Sequence, residues 1–156
     1  MLRIILTTLF VVLLQFSVAF AVSGQHLNLD DKGRALHGYD PVSYYSETPV
    51  KGKSSISYEY QGAQYFFASP ESREEFINNP EMYRFAYGGY CAWAMLQGEK
   101  VDVDPERFKK IDGVVYLFYN TFFTDTLDKW NDLAEKESEQ QLIDRADAHW
   151  RQIATM

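Results

Sequence analysis

The 156-residue sequence holds a single cysteine, Cys91, and only three histidines, His26, His37 and His149. One thiol excludes an intramolecular disulfide and any multi-cysteine zinc or iron–sulfur site built from this chain alone. The histidines show no H-x-x-H, H-x-x-x-H or H-E-x-x-H spacing. Also missing are a G-x-S-x-G elbow, a phosphate-cradling glycine loop and a catalytic carboxylate pair, which leaves hydrolase and nucleotide readings without support. Asp102, Asp104 and Glu106 lie close together but lack the glycine and later bidentate Glu of a calcium loop; a strand edge and a helix cap explain them. Positive charge is scarce as well. With 15 Lys+Arg against 22 Asp+Glu, the formal charge of −7 makes a poor surface for nucleic acid or anionic lipid.

Long apolar runs are confined to the start of the chain. Arg3 is followed by the run Ile4 to Phe20, broken only by Thr7, Thr8, Gln15 and Ser17, and Ala19-Phe20-Ala21 supplies a small-x-small pattern. This reads as a secretory signal over residues 1–21, cut near Ala21, with the mature protein in the periplasm or secreted and without a membrane span. The run falls short of the roughly 20 residues a spanning helix needs. In an oxidising compartment an unpaired thiol is unusual, which makes Cys91 more informative than a lone cysteine elsewhere.

What remains is an ordinary globular composition, 46% hydrophobic and 24% charged, enough for one domain with a core. Residues 22–35 are polar and read as a flexible tail. All 11 tyrosines fall between Tyr39 and Tyr119, so residues 36–120 form an aromatic domain, and residues 121–156 a helical extension packed on it. Asp40-Pro41, Ser69-Pro70-Glu71, Asn79-Pro80-Glu81 and Asp104-Pro105-Glu106 each combine a capping residue with a proline, a pattern that opens a short helix or turn. Hairpins are expected for Ile56 to Tyr60 with Gln64 to Ala68 around Gln61-Gly62, and for Lys109 to Ile111 with Val114 to Tyr119 around Asp112-Gly113. The second pair of turn residues suits a type I′ turn. Val101 and Val103 suggest a further short strand. Two apolar stripes, Leu127 to Ala134 and Leu142 to Ile153, are separated by the polar stretch Glu135 to Gln141 and predict two amphipathic helices or one bent helix. These helices pack on the domain or offer a partner-binding or dimerisation face. The fold class is α+β: a small single domain with two β-hairpins and several short helices, followed by the C-terminal helices.

The stretch Tyr87-Gly88-Gly89-Tyr90-Cys91-Ala92-Trp93-Ala94-Met95-Leu96-Gln97-Gly98 carries the most chemistry. Gly88 and Gly89 permit a backbone turn closed to other residues, and a two-turn helix ending at Gly98 is expected after it. Cys91 then falls in the first helical turn, where unpaired N–H groups favour the thiolate, while burial among aromatics opposes it. Met95, four residues on, shares its face, and a thiolate beside a thioether selects soft ions such as Cu(I). The plain alternative is a small buried cysteine and a core methionine. His37 is either a further metal ligand or a solvated loop histidine. Asp40 is a ligand or proton acceptor, or it caps the turn begun by Pro41.

Gly38-Tyr39-Asp40-Pro41-Val42-Ser43-Tyr44-Tyr45, Pro49-Val50-Lys51-Gly52, Tyr65-Phe66-Phe67-Ala68-Ser69-Pro70-Glu71, Phe76, Asn79-Pro80-Glu81, Tyr87-Gly88-Gly89-Tyr90-Cys91-Ala92 and Gly113 to Asn120 resemble, in order, the exported bacterial YHS domain-containing proteins. The resemblance spans Leu36 to Asn120, and Ala146-Asp147-Ala148-His149-Trp150 is similar to that group's C-terminal signature. It implies heavy-metal binding, since YHS domains are related to small metal-binding modules and occur beside copper-transporting ATPases. The exported group includes occasional selenoproteins, and the Cys91 position is the one the resemblance suggests for selenocysteine. The related metal modules use several cysteines, so their zinc site does not carry over to this chain.

Three functions follow as expectations. The first is an exported binding module with Cys91 as soft ligand, copper favoured, completed by Met95 with His37, Asp40 or a tyrosine, and walled by Tyr39, Tyr87 and Tyr90. The second is a metal-free thiol redox protein needing an external thiol as redox partner. The third is a structural or partner-binding domain with an inert Cys91.

Overall fold

The computed structural model describes residues 26–46 and 48–156. The signal sequence expected over residues 1–21, and residues 22–25 of the expected tail, lie outside the described residues. After two short 3-10 turns, Leu36–Gly38 and Pro41–Tyr45, the chain forms β1 (Lys53–Tyr60) and β2 (Ala63–Phe67), an antiparallel hairpin. Its turn residues Gln61 and Gly62 both have positive φ, 50° and 79°, which matches the right-handed twist of the strands. Helix α1 (Pro70–Asn78) opens with a reciprocal cap: Ser69 Oγ accepts from the Ser72 N–H, and Ser72 Oγ from the Ser69 N–H. Pro70 at the first helical position gives up only an N–H that would be orphaned there.

A turn at Pro80–Met82 leads into β3 (Arg84–Phe85), a second turn at Ala86–Gly89, and the single-turn helix α2 (Ala92–Met95). Strands β4 (Asp104–Ile111) and β5 (Val114–Phe118) form the second hairpin, with Asp112 and Gly113 at φ 48° and 75°. β3 joins β5 in parallel, giving a three-stranded sheet of order β3-β5-β4. A third hairpin, β6 (Asn120–Thr121) and β7 (Thr124–Asp125), precedes helices α3 (Thr126–Glu137) and α4 (Glu139–Ala154). The α+β class read from the sequence is therefore the observed one.

Some local readings are corrected. Asp104-Pro105-Glu106 opens β4 rather than a helix. Asp104 Oδ1 accepts from the Glu106 N–H, and the register slips between Asp104 and Phe108, a place where a proline without a donor is tolerated. Val101 and Val103 lie outside the strands. Residues 26–35, expected as a tail, pack against the domain: the Asn28 N–H donates to Gly88 O, Leu29 bridges Ala35, and Leu27 and Leu29 sit on the core. The polarity of this stretch belongs to a tight turn in which Asp30 Oδ1 accepts from the N–H groups of Lys32 and Arg34, while the two leucines face inward.

The two C-terminal helices separate at Ser138, which takes φ 93° and caps α4 by accepting from the Gln141 N–H. Leu127, Trp130, Leu133, Leu142, Ile143 and Trp150 from both stripes join a core cluster with Met95 and Phe118. Both apolar stripes are thus used inside the molecule. A second cluster holds Tyr39, Tyr44, Cys91, Val115 and Leu117. Phe76 anchors an aromatic group, with the rings of Tyr60, Tyr65, Phe67 and Tyr83 centred 5.6, 5.0, 5.5 and 5.9 Å from its own.

Two glycines with similar backbone angles provide a test. A Cβ on Gly113 (φ +75°) would meet nothing within 4 Å, whereas one on Gly88 (φ +60°) would lie 1.8 Å from the His26 backbone oxygen. Gly113→Ala is expected to cost about 1–2 kcal/mol from conformation alone. Gly88→Ala adds displacement of the N-terminal segment and is expected to cost at least about 3 kcal/mol. Urea denaturation midpoints of the two variants measure the difference.

Candidate functional site

Cys91 lies one position earlier than expected. Tyr87, Gly88 and Gly89 turn the chain at φ 55°, 60° and 85°, and Cys91 becomes the residue before α2, with φ −58° and ψ 120°. Its N–H donates to Val101 O at 2.9 Å and its carbonyl accepts from the Met95 N–H at 3.0 Å. The following helix is one turn rather than the two expected. The side chain is 0% exposed. Its sulfur accepts from the Tyr119 N–H at 3.2 Å and lies 3.5 Å from Thr126 Oγ1, whose own hydrogen goes to Tyr119 O at 2.7 Å. Thr126 Oγ1 is thereby left as acceptor for the thiol proton. The sulfur is thus satisfied on both sides, and α3 is pinned to the end of β5 by the same contacts.

The other expected ligands are engaged elsewhere. His37 Nε2 lies 2.7 Å from Asp102 Oδ1, which also accepts from Asn28 Nδ2 and the Val103 N–H, each at 2.8 Å. Asp40, 1% exposed, caps the Pro41–Tyr45 turn through the Val42 N–H and spans to the Ala68 N–H and the Ser72 hydroxyl. Met95 is fully buried in the cluster formed with the C-terminal helices. Among the described residues, no group of three or more His, Cys, Asp or Glu side chains is placed to hold a metal ion. The set Cys91, His37 and Asp40 is therefore not brought together. These residues fit no multi-ligand metal site as they stand.

The three tyrosines expected to wall one pocket separate too. Tyr39 donates to Glu106 Oε1 at 2.6 Å, and that carboxylate, with burial, pushes its phenol up to about 12. Tyr90 donates to Leu27 O. Of the three, only Tyr87 lines a cleft of about 440 Å³ between hairpin β1–β2, β3 and the end of α4. The Tyr87 hydroxyl donates to Asp147 Oδ1 at 3.0 Å, and burial first, then the Asp147 charge, hold the phenol far above its ordinary value. Trp150 stands edge-on to the Tyr87 ring at 6.1 Å. Tyr60, Tyr65 and Phe85 supply further aromatic surface, and Glu81 and Arg84 the charges. Glu81 accepts from the Tyr60 hydroxyl at 2.8 Å. Gly88 and Gly89 also line this cleft. Asp147 and Trp150 belong to the C-terminal motif singled out in the sequence, but their meeting with Tyr87 across 60 residues had no local signal.

The YHS domain family matches residues 42–87, so a YHS domain is found there. It is a family associated with metal binding. No curated protein and no solved structure matches the chain. The matched segment covers β1 to β3 and ends at Tyr87 in the cleft wall; His37, Asp40, Cys91 and Met95 all lie outside it. No helix of the described residues is long and apolar enough to cross a membrane.

The Asp102 node makes a pH prediction. Burial pulls its carboxyl upward, but hydrogen bonds from Asn28, His37 and the Val103 N–H outweigh it and hold the pKa below the ordinary carboxylate value. A lowered folded pKa stabilises fully above the unfolded value of about 4 and is lost as pH falls through the folded one. The stability gap between wild type and Asp102→Asn, measured by denaturation across pH 7 to 3, is expected to shrink below about pH 4.

Proposed function

We propose that the protein is a binding module without catalytic chemistry of its own, whose recognition site is the aromatic cleft and whose Cys91 is a packing thiol. The observation that supports this is the convergence of Tyr87, Trp150 and Asp147 with the YHS aromatics. A concavity lined by aromatic residues with a few carboxylate, guanidinium and phenol groups among them suits an aromatic-bearing apolar group whose polar ends stay at the rim. The Arg3 start and the apolar run Ile4 to Phe20 support placing this module outside the cytoplasm, in the periplasm or secreted. N-acetyl-Phe-Phe-amide is a suitable probe, followed by Trp fluorescence and by the tyrosine signals in NMR. Saturable binding is expected, weakened about tenfold or more in Trp150→Leu, in line with the loss of one stacked ring. Absence of saturable binding, or binding indifferent to the substitution, overturns the reading.

A narrower reading keeps a soft metal, copper before others, on Cys91. Two observations favour it: Cys91 and Met95 are joined in one helical turn, both fully buried, and the chain holds a domain of a family associated with metal binding. Two sulfurs suit Cu(I) better than zinc, which takes four ligands. The cleft reading expects a copper titration under reducing conditions to be the same for wild type and Cys91→Ser. About one equivalent per chain, lost in the variant, would transfer the assignment to the metal site.

A further inference from the structure

The third hairpin has a chemistry its fold does not ask for. Hairpins β1–β2 and β4–β5 turn on Gln-Gly and Asp-Gly with both residues at positive φ, but β6–β7 turns on Phe122-Phe123, and neither has positive φ. Phenylalanine has no role in turn formation. The two side chains are 94% and 91% exposed and stack on each other edge to face at 5.0 Å. Their base is fixed. Asp125 pairs with Arg107 and caps α3 through the N–H groups of Leu127 and Asp128, while Asn120 Nδ2 donates to Asp104 Oδ2 at 3.0 Å. The tip therefore stands on a braced base, and the run Tyr119-Asn120-Thr121-Phe122-Phe123-Thr124 carries no charge that docking would strip of water.

We infer that the occupant of the aromatic cleft is the Phe122-Phe123 tip of a second copy of this chain. This rests on the cleft reading above. The cleft is lined by Tyr60, Tyr65, Phe85 and Trp150, with the buried Tyr87 behind them. Its carboxylates, Glu81 and Asp147, can accept from peptide N–H groups of the turn, which lie outside the β6–β7 ladder. Tip and cleft are separate surfaces, so the contact is heterologous and builds a closed ring or an open chain. Two phenyl groups bury about 150–250 Å² each, which with the matching cleft surface stays below the roughly 1,200 Å² of a stable interface. The association is accordingly weak and concentration-dependent. Both partners carry a formal charge of −7, so salt strengthens it by screening their repulsion.

Sedimentation velocity on the purified full chain, from about 10 to 500 µM, tests this. Wild type is expected to rise from one chain toward two or more across that range, further at higher salt. Phe122→Ser/Phe123→Ser and Trp150→Leu are each expected to stay at one chain. Mixing the two variants should recover association, because one retains an intact cleft and the other an intact tip. The double tip variant should still bind N-acetyl-Phe-Phe-amide, which shows its cleft intact. Wild type that binds the probe yet stays monomeric overturns this inference and leaves the cleft reading standing; loss of both overturns both. Association that survives the tip change, or monomeric protein that floats with neutral phosphatidylcholine vesicles through the tip, also overturns it, the latter assigning the wedge to a lipid surface.

Discussion

One buried carboxylate fixes how the YHS segment folds on itself. Asp40 takes a hydrogen bond from the turn that follows it, one from the Ala68 N–H just after β2, and one from the Ser72 hydroxyl in the first turn of α1. Removing it would strand those buried donors together, and each carries a desolvation penalty when unpaired. Ser72 is also half of the cap that starts α1. The helix start, the hairpin end and the proline turn are therefore one polar knot. Phe76 lies one helical turn beyond Ser72, so the knot also sets where the aromatic group around Phe76 stands, and with it one wall of the cleft.

Cys91 performs the same kind of task with weaker bonds. Its backbone ties α2 to Val101, its bridge runs beside Leu117, and its sulfur meets Tyr119 and Thr126 at the start of α3. A reactive cysteine needs exposure and a neighbour that favours its anion. Here the nearest partners supply one N–H and one hydroxyl oxygen already committed as an acceptor. A small, polarizable side chain fits this crowded junction, where it is fully buried and bonded on both sides. The family match covers residues 42–87, a segment of aromatic, phenolic and carboxylate side chains without a cysteine.

Much of the fold was legible because it rests on local chemistry. Gln61-Gly62, Asp112-Gly113 and Ser69-Pro70-Glu71 state their turns and caps within a few residues. Pro105 misled because the same Asp-Pro-Glu triplet serves a bulged strand start as well as a helix, and only pairing with Phe118 decides between them. The Leu27 to Ala35 stretch misled because its polar composition conceals two inward leucines. The cleft was illegible for a different reason. Tyr87 and Asp147 were both conspicuous, yet their contact depends on how α4 crosses α2, which no periodicity reports. Cys91 was conspicuous by rarity, and rarity carries no information about exposure.

The pair Phe122-Phe123 was in plain view in the sequence but without meaning there, since adjacent phenylalanines usually enter a core. Only the hairpin shows that they are held out of it. The chain elsewhere spends its aromatics carefully: Phe67, Phe76, Phe118 and Trp130 are buried, and most tyrosines end on a hydrogen bond. Against that background, two exposed rings on a braced turn are the largest uncompensated apolar surface among the described side chains away from the chain's end. The cleft lined by Tyr60, Tyr65, Phe85 and Trp150 is the aromatic concavity on the same molecule. If the tip docks in the cleft of a second copy as inferred above, the formal charge of −7 on each chain opposes their approach, which suits a contact that forms and releases with concentration rather than a permanent subunit interface.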